Sequence, residues 1–313
     1  MFGDLKDLWP DEFREFIRIA CLIILAIFIL SLLWGTVRSL VSLPLTAPSP
    51  LPQTSPIAAI NLEAKAALVY DIINGRVIFA KNKDDILPIA SITKIMTAYT
   101  ALTMVPKDTI ITIRHDDILE VGETGLIVNE QWRLSDLVKL MLVSSSNDAA
   151  SAIAAGVENV TQLNFVLAMN NLASQMGLSN TRFRNPTGLD EYSNVISGSF
   201  STAGDIAKMF AYLFQHQPAL FTGTNESFIE TYSLAGSKHV AYNTNSFSNQ
   251  IPSLVASKTG TTDLAGGSLA IIFKPVPNET VAVVVLGSTP AGRFTDMLKL
   301  VRATISQLTG SKI

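Results

Sequence analysis

The chain has almost no cysteine, little histidine and few charges. Cys21 is the only cysteine in 313 residues, so no disulfide can form within one chain and any exported domain must rest on its own core. It stands at the start of an apolar run, whereas a lipid-attachment cysteine follows one, so it reads as a small apolar side chain. His115, His216 and His239 are scattered without metal-ligand spacing, and neither a metal nor a cofactor is expected. Charged residues make up 16% of the chain with a net charge of -3. That leaves no basic surface, which sets nucleic acid aside as a partner.

What the chain has in excess is apolar sequence, 48% of residues with a mean hydropathy of +0.34, high for a purely soluble protein. The source is local. Residues 19–37 (IACLIILAIFILSLLWGTV) hold no charged side chain, and at about 1.5 Å per residue the run crosses a hydrocarbon core of about 30 Å. Trp34 and Arg38 close it without an A-x-A site, which favours an uncleaved transmembrane anchor over a signal peptide. Lys6, Arg14 and Arg18 precede the run and only Arg38 closely follows. The positive-inside rule then puts residues 1–18 in the cytoplasm and everything after Arg38 outside, in a single-pass cell-membrane protein. Phe13, Phe16 and Ile17 after Pro10 fit a short helix at the inner interface. Residues 38–57 carry Pro44, Pro48, Pro50, Pro52 and Pro56 and read as a stiff linker; in polyproline geometry they would reach about 60 Å. Residues 58–313 remain for a globular domain.

Within that domain, residues 66–71 and 76–81 are apolar runs joined around Asn74-Gly75, a hairpin signal. A helix is expected from Ser91 through Met104. Ser135-Asp136 is expected to cap an apolar helix reaching Val143, after which residues 144–148 (SSSND) interrupt and Ala149 resumes it. Phe165, Met169, Leu172 and Met176 share one helical face and read as core. Residues 183–190 (FRNPTGLD) read as loop, 202–214 as helix, and 222–249 as loop with short strand. Runs at 254–258, 269–273 and 281–286 read as three strands. Phe294, Met297, Leu298, Val301, Ile305 and Leu308 give a closing amphipathic helix. The order predicts an α+β domain: an antiparallel sheet flanked by helices, with a helical subdomain inserted between its two halves.

The chemistry begins at Ser91 and Lys94. Three residues apart on a helix, they share a face, which puts a base beside a nucleophile; taken alone, the pair equally fits an ordinary helix with a polar start. The chain holds one Ser-x-x-Lys (Ser91, Lys94), one Ser-x-Asn (Ser145, Asn147) and one Lys-Thr-Gly (Lys258, Thr259, Gly260). They fall in that order on a helix start, a helix-helix corner and a strand.

In these motifs the sequence resembles the penicillin-binding, active-site-serine enzymes, most of all the low-molecular-weight D-alanyl-D-alanine carboxypeptidases. The resemblance runs from about residue 58 to the end. It extends to residues 88–98 (PIASITKIMTA), 144–150 (SSSNDAA), 185–190 (NPTGLD), 243–245 (NTN) and 257–266 (SKTGTTDLAG).

The resemblance implies a β-lactamase/transpeptidase-like fold and a peptidoglycan stem peptide ending in D-Ala-D-Ala as substrate, with β-lactams as inhibitors. It implies that Ser91 forms an acyl-enzyme, Lys94 takes its proton and Ser145 passes a proton to the leaving amine. Asn147 would hold the substrate's peptide group; Lys258, Thr259 and Thr261 its carboxylate; and the N–H groups of Ser91 and Thr261 the oxyanion. Gly260 would let substrate backbone approach the strand. Neutralising a free lysine at pH 7 costs about 4.6 kcal/mol, and burial with a second cation, for which Lys258 is the candidate, would lower that.

Departures from the family pattern and alternative readings stand beside this. Ser146 occupies a place where the family often has Gly, and the chain stops at Ile313 just after the closing helix, as expected of a bare catalytic domain anchored at its other end. The E-x-x-x-N loop of class A β-lactamases is missing: Asn164 has Val160 four residues before it, so stable acylation by penicillin is expected rather than hydrolysis. Endopeptidase action on cross-linked peptides uses the same acyl-enzyme and stays open, whereas a non-catalytic wall-binding protein would have no need of both nucleophile and base. Residues 185–190 are read as loop-shaping, and Asn243 and Asn245 as braces for the neighbouring strand.

Overall fold

The computed structural model describes residues 60–118, 125–192 and 195–310. Residues 1–18, expected to be cytoplasmic, the apolar run 19–37 and the proline-rich linker lie outside the described residues; among the described residues, no helix is long and apolar enough to cross a membrane.

Five strands make the main sheet: β1 (Ala66–Asp71), β2 (Arg76–Lys81), β3 (Leu254–Thr262), β4 (Gly266–Phe273) and β5 (Val281–Ser288). Their order is β3-β4-β5-β1-β2, antiparallel throughout. The first hairpin turns where expected, with Asp71 Oδ1 accepting the N–H groups of Ile73 and Asn74 at 3.1 and 3.0 Å and Gly75 left-handed at φ 67°.

The sheet is buried on both faces, and the period of two along each strand divides its side chains between two cores. Ala67, Val69, Leu269, Ile271, Val283 and Val285 pack with Met297, Leu300 and Val301 of the closing helix. Ala66, Leu68, Ala270, Ile272, Val284 and Leu286 pack with the helical subdomain on the other face. Six α-helices complete the described domain: α1 (Thr93–Met104), α2 (Leu134–Ser144), α3 (Asn147–Thr161), α4 (Phe165–Gln175), α5 (Ala203–His216) and α6 (Gly292–Thr309). The sheet's two halves thus bracket α1 to α5, as the sequence order predicts.

Two local expectations need correction. Ser135 does not cap α2: Arg133 holds the N-cap position with no side-chain bond, and Ser135 lies inside the first turn. The carbonyls of Thr109 and Lys107 accept the N–H groups of Leu134 and Ser135 instead, so tertiary contact replaces the cap. Ser91 sits in a single 3-10 turn, Ala90–Ile92, that leads into α1, rather than in the first turn of the α-helix itself.

Candidate active site

Four segments distant in sequence meet at the edge strand β3. The first is the turn carrying Ser91. Ala90 is left-handed at φ 48°, a conformation that costs an L-residue energy and must be held by its surroundings. Two neighbours hold it. Thr93 Oγ1 donates to Ala90 O at 2.6 Å, and Gly188, at φ 79°, lies so close that a Cβ there would stand 2.1 Å from the same oxygen. Ser91 is left half-buried, while Lys94 behind it is fully buried.

Lys94 Nζ reaches Ser91 Oγ at 2.9 Å, Asn147 Oδ1 at 2.7 Å and the Thr187 carbonyl at 2.8 Å. A neutral amine has two N–H donors and one lone pair. The Asn147 and Thr187 oxygens, acceptors only, can take both donors and leave the lone pair to the Ser91 hydroxyl. An ammonium would donate to all three oxygens, so the same contacts serve Lys94 before and after it takes a proton.

The second segment is the corner between α2 and α3. Ser145 terminates α2 in the left-handed region at φ 61°, which turns its half-buried hydroxyl toward β3, where it accepts from Lys258 Nζ at 2.7 Å. Ser146 finds the role that sequence alone left unassigned: its buried hydroxyl caps α3 by accepting the Ala149 N–H at 3.0 Å.

The third segment, residues 185–191, is wired to itself through Asn185. Asn185 Oδ1 accepts from Gly188 N at 2.7 Å and Thr187 Oγ1 at 3.1 Å, and its Nδ2 donates to Leu189 O at 3.0 Å and Glu191 Oε1 at 2.9 Å. The loop-shaping role expected of this block is what these bonds describe, and its product is the Thr187 carbonyl on Lys94. Asn243 braces the loop before the strand Phe228–Tyr232 rather than a strand itself: its Nδ2 donates to the Thr224 and Glu226 carbonyls and its Oδ1 accepts from Asn245 N, while the Asn245 side chain accepts from Phe247 N at 3.2 Å and makes no bond to a strand among the described residues.

The fourth segment is β3 itself. Lys258 is fully buried and donates to Ser145 and to the Thr259 carbonyl. Burial first, then the positive charges of Lys94 and Arg293, push its ammonium well below the ordinary lysine range. Thr259 Oγ1 is paired with Thr244 Oγ1 at 2.6 Å. Gly260 makes room for the chain's own backbone, since a Cβ there would stand 2.6 Å from the Ile89 carbonyl and 3.2 Å from Ser91 N. The close approach read from the sequence as serving substrate is thus already filled by the turn that carries Ser91.

Sequence reasoning missed three contributors. Thr187 acts through its carbonyl, so side-chain identity carried no signal, and Thr244 was passed over between two asparagines. Arg293, in the first turn of α6, donates from Nη1 to the Gly260 carbonyl at 2.7 Å and to Thr261 Oγ1. A cation in a helix's first turn opposes the helix dipole, and that local inconsistency was the available clue. Among the described residues no group of histidine, cysteine or carboxylate side chains could hold a metal.

The family profile described as D-alanyl-D-alanine carboxypeptidase, peptidase family S11, matches residues 52–289. The D-alanyl-D-alanine carboxypeptidase DacF of Bacillus subtilis (strain 168) is 31% identical over 252 residues, 78% of this chain and 63% of that protein. This chain therefore spans a little under two thirds of that relative's length. The D-alanyl-D-alanine endopeptidase of Escherichia coli (strain K12) is 28% identical over 248 residues, 75% of this chain and 74% of that protein. The crystal structure of penicillin-binding protein D2 from Listeria monocytogenes in its ampicillin-bound form superposes with a TM-score of 0.68 at 28% identity, covering 78% of this chain and 98% of that one. Profile, relatives and superposition agree with the three motifs: the chain belongs to the D-alanyl-D-alanine carboxypeptidase family, the low-molecular-weight penicillin-binding proteins.

Proposed function

We propose that the domain is a serine-type D-Ala-D-Ala carboxypeptidase that acts on peptidoglycan stem peptides and is acylated by penicillins. The observation that carries this is the Lys94 amine, buried, 2.9 Å from Ser91 Oγ, with two acceptors in place for its donors.

Ser91 Oγ attacks the carbonyl carbon between the two D-alanines while its proton passes to Lys94 Nζ. The developing oxyanion is received by the N–H groups of Ser91 and Thr261. As the C–N bond breaks, the leaving amine takes a proton through the Ser145 hydroxyl, and D-alanine departs. Water then adds to the acyl carbon and restores Ser91. The terminal carboxylate is bound by Lys258, Thr259 and Thr261, with Arg293 as a further cation. An arriving carboxylate gives Lys258 the counter-charge its site lacks and favours its protonated form. Asn147, which the motif assigns to the substrate's peptide group, also anchors Lys94 through its side-chain oxygen.

Residues 19–37 are proposed to anchor the protein in the cell membrane with the domain outside. What supports this is an uncharged run of membrane-spanning length with more basic residues before it than after it.

The test is labelling followed by turnover. A fluorescent penicillin should attach covalently to the unaltered protein and not to Ser91→Ala, and a peptide ending in D-Ala-D-Ala should release free D-alanine. No adduct on the unaltered protein would refute the enzyme reading. Adduct formation with release of cross-linked fragments but no free D-alanine would move the assignment to endopeptidase.

A further inference from the structure

Between α5 and β3 the chain forms a two-stranded ribbon, Phe228–Tyr232 paired with Lys238–Tyr242. Its two faces differ sharply. Thr231 and Ala241 are buried and Ile229 and His239 half-buried on the face turned to the domain, with Ile229 packed on the core. The other face sets the cross-strand pairs Phe228 with Tyr242, Glu230 with Val240 and Tyr232 with Lys238 side by side in solvent. There Phe228 is 51% exposed, Tyr232 51% and Tyr242 70%. Exposed aromatics gathered on one face of a short ribbon are unusual on a soluble domain and mark a surface that meets something.

The chemistry of the face narrows what it meets. The Phe228 and Tyr242 rings stand 6.2 Å apart, and on the same face Glu230 pairs with Lys238, opposite Tyr232, at 2.5 Å. Aromatic rings with a paired acid and amine beside them match a pyranose ring: its C–H face stacks on the aromatics while hydroxyl and acetamido groups exchange hydrogen bonds with carboxylate and ammonium. An anionic lipid surface is a poorer match, since half of the fixed charge repels it.

The ribbon is also joined to the candidate active site. Tyr242 runs straight into Asn243, whose amide is tied to the Thr224 and Glu226 carbonyls, and then into Thr244, whose hydroxyl bonds Thr259 on β3. Two residues, about 7 Å of extended chain, separate Tyr242, the most exposed of the three aromatics, from the carboxylate-binding end of the cleft.

We infer that the outer face of this ribbon is a docking surface for the glycan strands of the cell wall. The inference rests on reading the domain as a peptidoglycan peptidase. Because the ribbon adjoins the carboxylate end of the cleft, the strand it holds is a neighbour of the one whose peptide is bound. Holding it keeps further stem peptides within reach and raises their effective concentration without any change in the chemical step.

The experiment compares the full-length protein with Tyr232→Ala/Tyr242→Ala and with Tyr232→Phe/Tyr242→Phe. Three quantities are read: co-sedimentation with purified insoluble peptidoglycan, D-alanine release from a short soluble peptide, and the apparent KM and kcat on the insoluble polymer. Losing two stacking rings should weaken co-sedimentation and raise the polymer KM about tenfold, with kcat and short-peptide turnover unchanged. The phenylalanine variant, which keeps both rings, should retain most of the binding.

Unchanged co-sedimentation in the alanine variant overturns the inference. So does a variant that loses binding to phosphatidylglycerol vesicles while still sedimenting with glycan, which would make the ribbon a membrane contact. Peptidoglycan stripped of its stem peptides separates the two readings. It should still bind the unaltered protein even if no peptide is hydrolysed, and failure to bind it while short peptides are turned over would sink the docking surface alone.

Discussion

Adding one methyl group at Gly260 tests whether β3 and the nucleophile's turn are packed as tightly as they stand. An alanine Cβ would lie 2.6 Å from the Ile89 carbonyl oxygen, whereas real Cβ atoms essentially never come within 3.0 Å of another heavy atom. At least about 0.4 Å must therefore open, and neither side gives easily. On one side Gly260 is paired with Ser268 in the sheet, and on the other Ala90 is held by Thr93 and Gly188. The contact is backbone on backbone, so no side chain can swing away. Overpacking of this kind costs about 1–3 kcal/mol in stability, and for a domain of this size that lowers Tm by about 3 °C or more. Catalysis suffers more. The displaced atoms include the Ser91 backbone, and since a misplacement of about 1 Å can cost about 100-fold, a shift about half as large should slow acylation about tenfold. The assay is the second-order rate of labelling by a fluorescent penicillin, measured beside a thermal melt. A rate within twofold of the unaltered protein, with Tm moved by less than a degree, would refute the idea that this contact positions the nucleophile.

Three further outcomes are expected. Ser146→Ala should cost about 1 kcal/mol by removing the α3 cap, visible as a Tm drop of about 3 °C, whereas Ser146→Gly should cost only a few tenths; equal losses would dismiss the capping role. Lys258 has its ammonium pushed well below the ordinary range in the folded state, so between that depressed value and about 10.5 the unfolded chain binds more protons than the folded one. Raising the pH through this window should stabilise the unaltered protein relative to Lys258→Met in denaturant titrations, and a difference that is flat or shrinks with pH would contradict it. Arg293→Ala removes charge-assisted bonds to the Gly260 carbonyl and Thr261. Such bonds are worth about 1.5–3 kcal/mol, so penicillin acylation should fall by about tenfold or more, with Arg293→Lys recovering part; no loss in the alanine variant would exclude Arg293 from the site.

What the sequence made legible follows from how far each signal reaches along the chain. The β1–β2 turn is written within six residues, as Asp71, Asn74 and Gly75, and could be placed to the residue. Strands β4 and β5 announced themselves as apolar runs because both faces of the sheet are covered. The three motifs survive as local strings because each contributes side chains whose chemistry is tied to residue type: a hydroxyl at Ser91, an amine at Lys94, another at Lys258. Groups that serve by position were not legible. Any residue presents a carbonyl, so the Thr187 oxygen on Lys94 leaves no mark in the string. Gly260 was legible as a close approach but not as to whose backbone approaches. The α2 start was misplaced for a related reason, because Ser135-Asp136 has the look of a cap and the carbonyls that displace it come from Thr109 and Lys107.

The strand order carries a consequence for how the domain comes into being. β1, near the start of the domain, lies between β2 and β5, with Ala66 opposite Leu286 almost the whole domain away. Until β5 has been made, the first hairpin has an open edge and one uncovered apolar face, and loop closure over nearly the full chain must precede the pairing that rewards it. The same event brings up α6 with Arg293. Folding is thus made late and all at once, and a chain that stops before residue 281 holds Ser91 and Lys94 but neither the β1–β5 pairing at the centre of the sheet nor Arg293.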